Sequence, residues 1–118
     1  QIFFAPLNDE RAAVLRDAAG EPVIWAVELR GASQVAQEGV TVSSFEPGTI
    51  FSIGLHPLRN GLPAGGRGSY GMFKCPANTP PTRGMHCDSV EGTTSHGRGT
   101  LPSPTASWPE SDTTERRR

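Results

Sequence analysis

The run VIWAVELR, Val23 to Arg30, places Val23, Trp25, Val27 and Leu29 on one side of an extended chain and Glu28 and Arg30 on the other. A period of two is the pattern of a strand with one covered face, and Trp25 is expected to be its largest core anchor. This alternation constrains the rest of the chain, because a strand must share its backbone bonds with neighbours. The sequence offers those neighbours as short apolar runs. QIFFA (Gln1 to Ala5) and AAVLR (Ala12 to Arg16) suit strands, although the second also fits the start of a helix. Gly20 and Pro22 place a turn before the central run.

Beyond it, GASQVAQEG (Gly31 to Gly39) has Gly31 or Ser33 as an N-cap and Gly39 as a stop, which frames a short helix resting on Val35 and Ala36. FEPGT (Phe45 to Thr49) reads as a type II turn, with Pro47 fixing its own φ and Gly48 taking the positive one. TIFSIGLH (Thr49 to His56) is a strand with Phe51, Ile53 and Leu55 on its apolar side. RNGLPAGG (Arg59 to Gly66) is a loop carrying an Asn60-Gly61 turn signal, and GSYGMFKC (Gly68 to Cys75) is the returning strand. The order strand, strand, strand, short helix, strand, strand predicts a mainly β fold, an OB-like five-stranded barrel or sheet with one short helix.

Composition changes near residue 75. Six of the 11 prolines fall at or after Pro76, where Val90, Leu101 and Trp108 are isolated apolar residues. Residues 1–75 are therefore expected to form the β domain, and residues 76–118 a tied loop followed by an extended Pro/Gly-rich C-terminal arm. Such a tail cannot offset an ordering cost of roughly 1–2 kcal/mol per residue by its own burial.

Three segments, VIWAVELRGAS, GVTVSSFEPGT and LHPLRNGLPAGG, together resemble a family of small exported bacterial proteins of unknown function. That family shows a W-x-x-E strand, a P-G turn and an H-P-x-R-x-G loop. The likeness spans Val23 to Gly66 and rests on the spacing of Glu28, Pro47 and His56; KCPANTPPTRGMHCDSV is similar to the C-terminal extension of one subgroup. The resemblance implies export and a small β fold, and it brings no reaction with it. A first residue Gln1 rather than Met also fits an upstream export signal that has been removed. Periplasmic or otherwise exported is the expected location.

Cys75 and Cys87, the two cysteines of the chain, bracket a loop holding Pro76, Pro80 and Pro81. In an oxidising compartment they are expected to form a disulfide, which the chain-entropy model values at about 3 kcal/mol. The alternative is a copper site: Met72, Met85 and His86 beside the two thiols form a soft thioether, imidazole and thiolate set. Its spacing matches no established metal motif.

Other chemistry is sparse. His56 precedes Pro57 at a strand end and reads as a loop histidine, with Asp9, Asp17 and Glu28 as its candidate acids; His96 lies in the tail. No triad or paired-carboxylate spacing is present. The glycines from Gly61 to Gly71 lack the lysine of a phosphate loop. A net charge of −1 and a pI near 6.3 argue against nucleic acid as partner, with Tyr70 and Phe73 as the candidate stacking residues.

These observations lead to a non-catalytic accessory or structural subunit, binding a larger protein assembly in the periplasm, membrane-associated or not. Leu101 and Trp108 are its expected partner anchors, with Arg116, Arg117 and Arg118 as a basic end. The alternative is a periplasmic copper-binding or carrier protein, and a third reading is a barrel pocket for a small apolar ligand.

Overall fold

The computed structural model describes residues 1–29, 44–97 and 99–102. Within them the chain is mainly β, and seven short strands form two sheets. β1 (Ile2–Phe4), β2 (Trp25–Glu28), β4 (His56–Pro57) and β5 (Ala64–Gly66) make a four-stranded sheet in the order β1-β2-β5-β4. β3 (Phe51–Ile53), β6 (Met72–Lys74) and β7 (Thr94–His96) make a three-stranded sheet in the order β3-β6-β7. The anticipated helix over Gly31 to Gly39 lies outside the described residues. No described helix is long and apolar enough to cross a membrane.

The alternation in VIWAVELR holds. Val27 is fully buried, while Ile24 and Glu28 are exposed. β1 pairs antiparallel to β2 with Ile2 opposite Val27 and Phe4 opposite Trp25, so these four residues share a face. Phe3, opposite Ala26, falls on the other face and is 65% exposed. Trp25 is half-buried and is not the centre of the core. That centre is Met72, fully buried against Ile2, Leu29, Phe45 and Ile53 at the place where the two sheets meet.

TIFSIGLH does not run as one strand. It breaks at Gly54-Leu55, so Phe51–Ile53 serves the three-stranded sheet and His56–Pro57 the other. The stretch read as the RNGLPAGG loop turns at Arg59-Asn60 and then supplies β5, which lies parallel to β2 with Val27 opposite Gly65. Glycine is required there, because a Cβ on Gly65 would strike the carbonyl of His56. At Gly48 φ is +91°, the value the Pro-Gly turn demands. AAVLR forms no sheet strand; Val14 and Arg16 make isolated bridges to Leu7 and Pro22.

The expected boundary between residues 75 and 76 does not separate strand from tail. Thr94–His96 crosses it to pair antiparallel with β6, Met72 opposite His96 and Lys74 opposite Thr94. The physical reason is backbone demand: β6 has β3 on one side, and Thr94 to His96 satisfies the groups on its other side.

The disulfide is formed. Cys75 and Cys87 are joined with Cα atoms 5.2 Å apart, and both are buried. Cys87 opens the one-turn 3-10 helix Cys87–Ser89 and donates its N–H to Ser52 Oγ at 2.9 Å. Cys75 donates its N–H to the Ile50 carbonyl at 2.9 Å. The tied loop is thereby fixed to β3 at both ends.

A second latch holds the loop from outside. Arg11 donates from Nε and Nη2 to the Met85 carbonyl at 3.0 and 2.7 Å and from Nη1 to the Asn8 carbonyl at 3.1 Å. The Gly84 N–H donates back to the Asp9 carbonyl at 3.3 Å.

Candidate functional site

Few side chains in this domain are wholly covered. Apart from glycines, the buried apolar residues among those described are Pro6, Val27, Met72, Cys75, Pro81 and Cys87, while Phe4, Phe45 and Phe51 are half-buried. Their rings form one cluster. Phe4 and Phe51 meet edge to face with centroids 5.6 Å apart, Phe45 and Phe51 lie 5.0 Å apart, and Phe45 approaches His96 at 5.3 Å.

The cluster lines a cleft of about 1530 Å3. One wall is β1 with the segment through Asp9, and the other is the continuous stretch from Phe45 to Pro57, with Leu101 and Pro102 also at its surface. Small-molecule pockets usually measure about 300–1,000 Å3. This cleft is larger, and every residue from Phe45 to Pro57 lines it.

The strand that forms its wall is a sheet edge. Cys75 N–H donates to Ile50 C=O at 2.9 Å and Gly54 N–H to Gly71 C=O at 3.2 Å, so the backbones of Ile50, Ser52 and Gly54 face β6. In an antiparallel pair the intervening residues point the other way. The N–H and C=O groups of Phe51 and Ile53 therefore face the open side of β3, where no described strand pairs with them.

Of the sequence-predicted site residues that are described, Leu101 and His86 line this cleft, and Met72, Cys75, Met85 and Cys87 do not. Leu101 is half-buried on its surface; Trp108, Arg116, Arg117 and Arg118 lie outside the described residues. His56, read as a loop histidine, lies instead in β4 opposite Gly66, where it is exposed and stacks on Tyr70 with ring centroids 4.8 Å apart. Phe73, in the middle of β6, is half-buried rather than offered as a stacking platform.

The soft-metal set is not gathered. Both cysteine sulfurs are bonded to each other, Met72 is sealed in the core, and Met85 is 38% exposed. Among the described residues no three His, Cys, Asp or Glu side chains converge as ligands. His86 is half-buried; burial, then the Arg11 cation, hold its pKa below the ordinary value against a smaller opposing pull from Asp88. It also lines the cleft.

Sequence reasoning misses the aromatic cluster and the open edge. Three of the five phenylalanines belong to the cluster, and the adjacent pair Phe3-Phe4 is a signal of a kind, since neighbouring strand positions face opposite ways and one ring must lie outside the core. Comparison with protein families, with characterised proteins and with solved structures finds no match to this chain.

Proposed function

We propose that this domain is a non-catalytic binding subunit that holds an apolar segment of a partner protein in the cleft between β1 and β3, as an accessory of a larger assembly in an exported, periplasmic setting. One observation carries the reading: the rings of Phe4, Phe45 and Phe51 stay half-buried and line a cleft, although Phe45 also packs on the core Met72. Buried aromatic side chains dominate protein interface energies when a partner desolvates them, and a wall of this kind sits ready for one. The internal disulfide favours an oxidising compartment.

The test is isolation of the tagged full chain from its native cells, beside the variants Phe45→Ser and Phe51→Ser. Hydrogen exchange should show the segment from Phe45 to Leu55 protected in the isolated complex, and both variants should release the partner while keeping the far-ultraviolet spectrum of the parent. Isolation as a single species under gentle conditions, or a complex in which that segment exchanges as in the free chain, would refute the proposal.

A further inference from the structure

The edge geometry deepens the binding reading. Resting on that reading, we infer that the partner segment is held as an added β-strand on the open edge of β3, main chain to main chain through the N–H and C=O groups of Phe51 and Ile53.

The four edges of the two sheets are unlike one another. β4 is blunted by Pro57, β7 is the hydrophilic Thr-Ser-His, and β1, the apolar Ile-Phe-Phe, runs into Pro6 two residues beyond its end. Natural edges are protected in this way, by proline, charge or polarity, against pairing with foreign chains. β3 carries none of these devices. From Thr49 to Leu55 it has no proline and no charged residue, and it borders the cleft along its whole length.

An apolar small molecule would cover Phe51 and Ile53 and leave their backbone donors and acceptors dry and unpaired, a cost that a strand avoids by pairing each of them. Strand addition to an exposed edge takes its affinity from these bonds and its selectivity from alternate side chains. Here those side chains would meet Phe4 and Phe45.

Charge narrows the occupant further. Of the ionisable groups bordering the cleft near β1 and β3, Arg11 is committed to the carbonyls of Met85 and Asn8 and its charge is set against that of Asp9, which leaves Glu46 as the exposed acid on the same border. The segment that fits is extended, uncharged over five to seven residues, apolar at alternate positions and basic at a flank. At about 3.3 Å per residue it would span roughly 17–23 Å.

The experiment pans a randomised heptapeptide display library on the oxidised full chain and measures the enriched peptides, made synthetically, by fluorescence anisotropy. Four proteins are compared: the parent, Ile53→Val, Ile53→Pro and Phe45→Ser. Proline at 53 deletes an N–H that faces the open edge and takes no part in the ladder to β6, a position where edge strands tolerate it. A scan of peptides singly N-methylated along their length, run on the parent protein, asks the same question without altering the fold.

The expected result is enrichment of peptides with alternating apolar residues and a basic flank. Affinity should fall tenfold or more with Ile53→Pro and less than threefold with Ile53→Val, and N-methylation should abolish binding at alternate positions. Peptides weakened by Phe45→Ser yet indifferent to Ile53→Pro and to N-methylation would overturn strand addition and leave the cleft as a side-chain site. No enrichment, or peptides indifferent to every cleft variant, would overturn both readings. A dimer in sedimentation that Ile53→Pro dissolves, with no peptide bound, would assign the edge to a second copy of this chain and refute the inference.

Discussion

Replacing both cysteines, Cys75→Ala with Cys87→Ala, separates what the cross-link does from what the native contacts do. The bond joins residues 12 apart in sequence, and for a loop of that size the lost constraint on the unfolded chain amounts to about 3 kcal/mol. Both sulfurs are buried, with Cys75 4% and Cys87 0% exposed, so the truncation also removes packed atoms worth about 1 kcal/mol. A loss of about 4 kcal/mol is large against the 5–15 kcal/mol that holds a typical domain.

Urea unfolding followed by tryptophan emission would read it. With a slope of about 1–3 kcal/mol per molar urea, the midpoint should fall by roughly 1–4 M. The cross-link acts mainly on the unfolded chain, so the variant's native hydrogen exchange should change little at Cys87–Ser89, where the Ser52 hydroxyl and the Arg11 latch still hold the segment. A loss below about 1 kcal/mol would refute the idea that this tether replaces core the domain lacks. Strong native-state opening of the loop with unchanged global stability would refute it equally.

Met72→Ala should cost about 2–5 kcal/mol, since Met72 is fully buried where the sheets meet; urea unfolding that shows under 1 kcal/mol would remove it as the centre of the core. Gly65→Ala should disrupt the β4–β5 pairing by its collision with the His56 carbonyl, read as faster exchange of the Leu58 amide that now donates to Ala64 at 2.9 Å, and unchanged exchange would contradict it. His86 is held below its ordinary value of 6.5 by burial and by Arg11, and His96 by burial and by Lys74, so the unfolded chain binds these protons more readily than the folded one. Their contribution to stability is complete above that ordinary range and is lost as pH falls from it towards the lower folded values. Urea midpoints between pH 7.5 and 5 should therefore decline less steeply in His86→Gln, and less again in the double variant with His96→Gln; parallel slopes would refute the sign.

The elements that can be read in advance are those whose side chains carry the information. Trp25–Glu28 announces itself by apolar alternation, Ile2–Phe4 by a short apolar run, Met72–Lys74 by the return expected after the Asn60-Gly61 loop, and the disulfide by two cysteines around a proline-rich loop. β5 cannot be read, because Ala-Gly-Gly has low β-propensity and is a strand here for lack of side chain: Gly65 lets the His56 carbonyl approach. β7 is hidden likewise, as Thr-Ser-His lacks an apolar face and forms to complete the hydrogen bonding of β6. The break in TIFSIGLH at Gly54-Leu55 decides which sheet each half joins, and apolar alternation runs through it unchanged. The open edge is the least legible feature of all, since which backbone groups lack a partner depends on register and never on residue type.

What makes that edge suited to binding is how firmly its other side is held. β3 is bonded to β6 through Ile50, Ser52 and Gly54, and Ser52 also accepts from the Cys87 N–H at 2.9 Å. Phe51 sits between two further rings, those of Phe4 and Phe45, and Ile53 against Met72. An exposed strand of three residues would ordinarily fray, and a partner would then have to supply its ordering entropy on docking. Here native bonds supply it beforehand: the Cys75 N–H holds the Ile50 carbonyl, the Cys87 N–H holds the Ser52 hydroxyl, and the disulfide joins the two donor residues. The residues that carry the cross-link therefore also present Phe51 and Ile53 in a fixed extended geometry through their backbone donors. Stability and binding in this domain converge on one three-residue strand.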